Sequence, residues 1–360
     1  MNTSILILGT GKMACNIGAF FLKRGHSVYW VSENEEFLGQ AEKKIKKEVR
    51  RIHRVSPEHS EPIQYDLITY DQAHNIPSID VIIESTTEDL AKKQRAISQV
   101  NHLLHDKKAL LLSTSSSLLP GEINTSCIGC HFFYPVELTG FVEIIFPRIY
   151  PDNNKAKVIK LVEQLSFISI IQSDNNAFAA NRLLLPLQAE VFRLLAVGHN
   201  PDRLNNATMS EILPFGQLEF MDSVGLDVIF AGVKNYVRRM PQKIQGDYNP
   251  LLQGLEGVIS LGKLGKKVNN GLLCGESLPW LEKTTDDAQI KNYFLYLFIH
   301  TCQTFIKSGH VSRSSLDLIM SSVFNSDISF SEAEKEISHK EVTACLDTFY
   351  KETNLTYFKV

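Results

Sequence analysis

The sequence is poor in the features that mark secreted, membrane-bound or nucleic-acid-binding proteins. Its 360 residues include six scattered cysteines, too few for a disulfide scaffold in a chain of this size. The net charge of −3 provides no positive excess for nucleic acid or an anionic membrane surface. No apolar run approaches the length of a membrane-spanning helix. We therefore expect a globular protein without nucleic-acid or membrane partners, and its 44% hydrophobic residues can fill sizeable cores.

Signals for secretion and for metal binding are also missing. The polar residues 2–4 lead directly into the apolar run Ile5–Leu8, without a basic start or a small-residue cleavage site. We therefore expect a cytoplasmic protein. Cys127, Cys130 and His131 formally match the pattern for covalent haem attachment, but no second cysteine or histidine pair completes a zinc set. We expect neither haem nor metal.

The first half of the chain alternates short apolar runs with helical segments. This alternation predicts an α/β Rossmann domain, in which a largely parallel, doubly wound sheet extends to about residue 175. The predicted strands are Ile5–Leu8, Val28–Val31, Asp80–Glu84, Ala109–Ser113, Val142–Phe146 and Phe167–Ile171. A single helix is predicted over residues 88–104.

The second half shows helical periodicity, no convincing strand and an internal similarity. Residues 181–209 align without gaps on residues 292–320, with matched Asn, Gly, His and Met residues at a constant offset. Two related helical units explain this match, although two amphipathic helices can also look alike. We predict a nucleotide-binding Rossmann domain at 1–175, an all-α domain at 176–275 and a second, degenerate helical repeat at 276–360.

A glycine-rich turn follows the first predicted strand. In Gly9-x-Gly11-x-x-Ala14, the first glycine permits the tight turn and the second lets the backbone approach a pyrophosphate at the helix N-terminus. Ser32 stands where an acidic residue would bind the adenosine ribose, and Glu33 follows it. No arginine stands beside Ser32 to hold a 2′-phosphate. We expect NAD as the cofactor, and NADP stays open as the alternative.

A short segment downstream combines three groups that suit alcohol oxidation. It contains the hydroxyl cluster Ser115–Ser117, the imidazole of His131 and the carboxylate of Glu143. A histidine oriented by a carboxylate can remove the proton of an alcohol, while a nicotinamide accepts the hydride. This combination predicts a dehydrogenase.

Several linked motifs resemble the 3-hydroxyacyl-CoA dehydrogenase family of fatty acid metabolism, over roughly residues 4–273. The remaining segment looks like a second copy of the family's helical domain. The matching motifs are Gly9-Thr-Gly11-Lys-Met13-Ala14, Glu84-Ser-Thr-Thr-Glu88-Asp-Leu90-Ala-Lys-Lys93, Ser113-Thr-Ser-Ser116-Ser117-Leu118, His131-Phe-Phe-Tyr134-Pro-Val136, Val142-Glu143-Ile144, Asn181-Arg-Leu-Leu-x-Pro, Gly216-x-x-Glu219-x-x-Asp222-x-x-Gly225-Leu-Asp227 and Gly262-Lys-Leu-Gly-Lys-Lys-Val-Asn-Asn-Gly271.

The resemblance implies reversible, NAD(P)-dependent oxidation of (S)-3-hydroxyacyl thioesters to 3-oxoacyl thioesters. It implies that His131 is the general base and that Glu143 stabilises the imidazolium. It also implies that Ser116 binds the reacting oxygen and that Asn181 holds the thioester. Together with the glycine turn, the expected cofactor-binding residues are Gly9, Gly11, Lys12, Met13, Ser32, Glu33, Glu88, Lys93 and Ser116.

Two departures from the family pattern concern the substrate. Tyr134 stands where the family has asparagine, and the basic helical tail that binds CoA phosphates in the family is shortened here. We expect Tyr134, Lys43 and Lys47 to contact the substrate. Because of these two departures, we expect the acyl group to be carried either by CoA or by the phosphopantetheine of an acyl carrier protein in a specialised biosynthetic pathway.

Two further questions stay open at this point. Departures at Ala14, Ser32 and Tyr134 favour a cofactor-binding protein without turnover, whereas the intact set of candidate catalytic residues favours the enzyme, which we expect. The family's helical domain mediates dimerisation, so we expect a homodimer. The internal repeat offers a monomeric alternative, because the second copy supplies a pseudo-dimer within one chain.

Overall fold

The computed structural model describes residues 3–33, 35–55, 65–76, 78–105, 109–172, 178–274 and 287–360. The chain divides into two compact units, Met1–Phe178 and Ala179–Val360. Among these described residues, no helix combines the length and the apolar character needed to cross a membrane.

The first unit is built on an eight-stranded sheet in the order β3-β2-β1-β4-β5-β6-β7-β8. All neighbouring pairs are parallel except β6 and β7. The strand order reverses between β1 and β4, where a doubly wound sheet opens a crevice for a ligand. The strands are β1 (Ser4–Leu8), β2 (Ser27–Ser32), β3 (Tyr65–Thr69), β4 (Val81–Glu84), β5 (Leu110–Ser113), β6 (Cys127–Phe132), β7 (Phe141–Ile145) and β8 (Ile168–Gln172).

Helices cover this sheet and bury an apolar core on each face. Ile7 and Trp30 belong to one core, whereas Leu6 and Val31 belong to the other, as the alternation of side chains along a strand requires. The helices are α1 (Lys12–Lys23), α2 (Glu35–Val55), α3 (Tyr70–Ala73), α4 (Leu90–Gln99), α5 (Asn101–His105), α6 (Pro120–Ile123), α7 (Val136–Thr139) and α8 (Asp152–Gln164).

The expected Rossmann sheet is confirmed, but the sequence patterns miss two strands and misjudge one helix. β3 is a short edge strand, and in β6 Gly129 and His131 interrupt the apolar run, so tertiary burial decides its conformation. The antiparallel turn to β7 arises because the connection 133–140 is too short for the crossover that a parallel pair needs. The helix expected at 88–104 is divided into α4 and α5 at Val100.

The second unit is helical, and its described residues form no named strand. This agrees with the all-α second half expected from the periodicity. Its helices are α9 (Ala179–Leu183), α10 (Leu185–Ala196), α11 (Pro201–Ala207), α12 (Gln217–Val224), α13 (Leu226–Val237), α14 (Gln242–Gln245), α15 (Asn249–Ser260), α16 (Asp287–Lys307), α17 (Arg313–Ser322), α18 (Phe330–Glu336) and α19 (His339–Thr353).

The two segments aligned in the sequence share one turn geometry. Gly198 and Gly309 both have positive φ, at 95° and 73°. In each turn the glycine amide donates to the carbonyl three residues back, and the amide of His199 or His310 donates to the carbonyl five residues back. The same bonds and a positive φ end α1 at Gly25 and α15 at Gly262, so this turn is a common helix C-cap and the internal repeat stays a prediction. The boundary expected near residue 275 adjoins residues 275–286, which lie outside the described part of the chain.

Candidate active site

The glycine turn lies at the carboxyl end of β1, beside the point where the strand order reverses. Gly9 has φ of +114°, and a Cβ atom on it would lie 2.6 Å from the carbonyl oxygen of Ser85. Gly11 caps α1 with φ of −71°, and a Cβ atom there would meet nothing within 4 Å. Gly9 is therefore required by the turn itself. Gly11 leaves room at the helix N-terminus, as the pyrophosphate of a dinucleotide requires.

The predicted ribose site lies one strand away. Ser32 is buried at the carboxyl end of β2, and Glu33 follows it as an exposed residue. Burial raises the pKa of Tyr70 at the start of α3, and the nearby carboxylate of Glu33 raises it further. The Glu33 carboxylate and the buried Ser32 hydroxyl thus lie where a ribose diol would bind, which fits NAD. The sequence patterns miss Tyr70 because β3, which precedes it, is itself not predicted.

Glu88 fixes the hydroxyl loop after β5. Its Oε1 accepts hydrogen bonds from the Ser115 hydroxyl (2.6 Å), the Ser117 hydroxyl (2.6 Å) and the Ser117 amide (2.9 Å). Burial alone would raise the pKa of Glu88, but the Lys93 ammonium and these hydrogen bonds outweigh it and lower that pKa. Ser116 lies between the two anchored serines and is half-buried.

Lys93 connects this loop to β4. Its side chain is only 1% exposed and lies 3.1 Å from Glu84 and 3.4 Å from Glu88. The ammonium also donates to the backbone carbonyl of Thr86 at 3.2 Å. These three acceptors match the three protons of an ammonium group. We infer that Lys93 supports the cofactor site by holding the loop, and direct contact with the cofactor stays a prediction.

His131 and Glu143 face each other across the antiparallel pair β6 and β7. The Nδ1 atom of His131 lies 2.7 Å from Oε2 of Glu143, whose other oxygen accepts a hydrogen bond of 2.7 Å from Gln172. Glu143 is fully buried and His131 is 6% exposed. Because Nδ1 is bound to the carboxylate, Nε2 is the ring nitrogen that is left for proton transfer.

The His131 ring is surrounded by aromatic side chains. Its centroid lies 4.3 Å from that of Phe133 and 5.0 Å from that of Phe178. Phe178 also covers Gly129, where a Cβ atom would lie 2.7 Å from the Phe178 ring. These rings limit the access of water to the imidazole.

The residues expected to meet the substrate lie around α2. Tyr134 is partly exposed, and its ring lies between the Lys12 ammonium (3.6 Å) and the Arg51 guanidinium (5.2 Å). Burial lowers the pKa of Lys12, which begins α1, while the nearby Glu48 carboxylate raises it. Met13 follows and packs against the core of the first unit.

Of the other predicted site residues, two lie on α2 and one lies in the second unit. Lys43 and Lys47 are exposed on α2. Since they are four residues apart, they share one face of the helix. Asn181 is half-buried on α9.

The cysteine pair next to His131 does not form a joint site. Cys130 belongs to the core on one face of the sheet and Cys127 to the core on the other. Burial raises the pKa of Cys127 and raises the pKa of Cys130 to about 12. Two thiols on opposite faces of a strand cannot bind one ion together. Within the described ranges, no group of three or more His, Cys, Asp and Glu residues is arranged to hold a metal ion.

A glycine turn at the end of β1 and a buried imidazole–carboxylate pair on β6 and β7 of the same doubly wound sheet are typical of a nucleotide-dependent dehydrogenase of the Rossmann class. Comparison with known protein families identifies the family within this class. Residues 4–173 match the model of the 3-hydroxyacyl-CoA dehydrogenase NAD-binding domain, and residues 178–273 match that of the 3-hydroxyacyl-CoA dehydrogenase C-terminal domain. The chain belongs to the 3-hydroxyacyl-CoA dehydrogenase family, and it is an NAD-dependent oxidoreductase of that family.

Individual relatives are distant. A probable 3-hydroxyacyl-CoA dehydrogenase of Caenorhabditis elegans is 25% identical over 290 residues, covering 74% of this chain and 94% of the relative. The mitochondrial hydroxyacyl-coenzyme A dehydrogenase of Rattus norvegicus is 24% identical, covering 74% and 89%. The crystal structure of 3-hydroxybutyryl-CoA dehydrogenase from Escherichia coli has a TM-score of 0.75 at 16% identity, covering 100% of this chain and 96% of that one. This last likeness shows that the fold is shared over the whole length.

Proposed function

We propose that this protein oxidises (S)-3-hydroxyacyl thioesters reversibly to 3-oxoacyl thioesters, with His131 as the general base. The observation that carries the proposal is the 2.7 Å contact between His131 and the fully buried carboxylate of Glu143. A buried carboxylate stabilises a positive charge on the imidazole more strongly than an exposed one does. The pair is therefore suited to accept a proton in one direction and to return it in the other.

Each step assigns a role to one group of this chain. Nε2 of His131 removes the proton of the 3-hydroxyl group, and Glu143 stabilises the resulting imidazolium. Gly9 and Gly11 would hold NAD at the glycine turn, where it would supply the acceptor for the hydride that leaves C3. Ser116 donates a hydrogen bond to the reacting oxygen, and Asn181 holds the thioester carbonyl. In the reverse direction, the His131 imidazolium protonates the oxygen as the hydride returns.

The exposed cations of α2 are the proposed site for the carrier of the acyl group. Lys43, Lys47 and Arg50 are spaced by four and three residues, so they form one exposed stripe along the helix. The phosphates of CoA suit such a stripe. Its continuation to the exposed Arg54 favours, as a second candidate, the acidic surface of an acyl carrier protein.

The first experiment compares NADH and NADPH oxidation with acetoacetyl-CoA and with acetoacetyl carrier protein. We expect turnover with NADH that His131→Gln reduces on the order of 1,000-fold, within the range of general acid–base catalysis. NADH affinity should be retained, since His131 lies outside the glycine turn.

Two controls separate the parts of this proposal. Lys43→Glu/Lys47→Glu should raise KM for the thioester and leave kcat unchanged, because these residues lie away from the reacting atoms. Full activity of His131→Gln would contradict the role of the base. Binding of NADH without turnover of either thioester would contradict the proposed reaction.

A further inference from the structure

A cluster of four polar side chains joins three helices of the first unit. We call it the interhelix clamp, and it consists of Asn16 on α1, Glu48 and Arg51 on α2, and Glu137 on α7. The Asn16 amide donates to Glu48 (3.2 Å) and to Glu137 (3.1 Å). Arg51 donates to Glu48 at 3.0 and 2.6 Å and forms an ion pair with Glu137. Three helices thus meet at two carboxylates, each of which is bound by both Asn16 and Arg51.

The clamp fastens the connection that carries both members of the candidate catalytic pair. Glu137 lies in α7, between β6 with His131 and β7 with Glu143. A second attachment lies beside it, since Oδ1 of Asn16 accepts the Val136 amide at 3.0 Å. The connection is therefore held to α1 through two successive residues.

Burial makes the clamp more than a surface ion pair. Asn16 is fully buried, and the side chain of Glu137 is only 3% exposed. Buried ion pairs are often no more stabilising than apolar side chains of the same volume, but their geometry is fixed by direction-dependent hydrogen bonds. Such a cluster suits the precise placement of one element against another.

Tyr134 extends the clamp to the nucleotide turn. Its ring lies between Arg51 and Lys12, and Lys12 directly follows Gly11. The same cluster thus contacts the helix whose N-terminus is the candidate pyrophosphate site and the connection next to His131.

We propose that Arg51 and Glu137 are positioning residues for hydride transfer. They fix the β6–β7 connection against α1 and so set the imidazole of His131 relative to the nicotinamide. The inference rests on the proposed function, because it assigns the clamp an effect on that reaction. Neither residue contacts the reacting atoms in this mechanism.

The test uses Arg51→Met, Glu137→Gln and the double variant, which removes a charge of each sign together. We expect kcat with acetoacetyl-CoA to fall on the order of 100-fold, as a displacement of about 1 Å can cause. The Kd for NADH, measured by fluorescence titration, should change less than twofold. With NADH deuterated at the transferred position, the isotope effect on kcat should rise, because hydride transfer becomes slower than product release.

Controls distinguish positioning from general loss of structure. Arg95→Met removes an arginine that is exposed on α4 and has no role in this mechanism, so it should leave kcat unchanged, whereas Arg51→Lys should recover part of the loss. All rates are expressed per NADH-binding site, so a fraction of unfolded protein does not count. If a single variant does not fold, the double variant still provides the measurement.

Each outcome bears on the proposal. Wild-type kcat and isotope effect in the double variant would overturn the positioning role while leaving the proposed function intact. A wild-type protein inactive with every thioester tested would overturn both.

Discussion

At the scale of single residues, the two glycines of the nucleotide turn have different reasons to be glycine. Gly9 has a positive φ, and a side chain there would collide with the backbone of Ser85. Gly11 has an ordinary φ and open space around it. Gly9 therefore serves the fold, whereas Gly11 serves the ligand.

This contrast predicts opposite effects for Gly9→Ala and Gly11→Ala. Gly9→Ala should lower the free energy of unfolding by about 1–3 kcal/mol, the cost of a strained backbone. Gly11→Ala should keep the wild-type Tm but weaken NADH binding at least about tenfold, or about 1.4 kcal/mol. Thermal unfolding and calorimetric titration of NADH measure the two effects. Wild-type affinity in Gly11→Ala would mean that the pyrophosphate does not approach this residue.

The sequence indicates some site residues and hides others for a physical reason. His131 and Glu143 could be paired in advance because each stands in a motif of its own. Gln172 could not be paired with Glu143, since their hydrogen bond crosses from β8 to β7 and depends on a register that no local pattern encodes. Arg51 and Glu137 could not be paired in advance either, because their ion pair joins two helices that are far apart in sequence.

At the scale of elements, the loop after β5 depends on charges buried beneath it. Ser113 donates to Glu84 at 2.6 Å, and Ser115 and Ser117 donate to Glu88. Lys93 lies between the two carboxylates. The loop that presents Ser116 is therefore shaped by an ionic network as well as by apolar packing.

The lowered pKa of Glu88 predicts a pH-dependent contribution to stability. Because the pKa in the folded state lies below the unfolded value of about 4.3, ionised Glu88 stabilises the protein fully above that value. This stabilisation is lost as the pH falls through the folded pKa. Glu88→Gln should therefore lower the free energy of unfolding by about 1–3 kcal/mol at pH 7, and this difference from the wild type should shrink below about pH 4.3.

Urea unfolding between pH 3 and pH 7 measures this difference. Glu163→Gln, on the exposed face of α8, is the matched control and should change stability by less than about 0.5 kcal/mol throughout. A cost for Glu88→Gln that stays constant down to pH 3 would show that the ionised carboxylate is not the source of the stabilisation.

At the scale of the whole molecule, the residues around Tyr357 connect distant parts of the second unit. Glu190 on α10 is fully buried, pairs with Arg193 and accepts the Tyr357 hydroxyl at 3.1 Å. The adjacent Thr356 amide donates to Asp247 at 2.8 Å, and Phe358 is fully buried. The carboxyl-terminal residues are therefore packed into the second unit through contacts with α10 and with the segment before α15.

Removing the Tyr357 hydroxyl should weaken this unit. Tyr357→Phe keeps the ring but leaves the buried Glu190 carboxylate one donor short, so we expect a loss of about 1–3 kcal/mol in the free energy of unfolding. Tyr296→Phe is the matched control. Its hydroxyl lies 3.4 Å from Glu341 in an exposed pair, and the expected loss is below about 0.5 kcal/mol. Urea unfolding followed by circular dichroism compares the two variants. Equal losses would show that the carboxyl-terminal residues do not stabilise the second unit through Glu190.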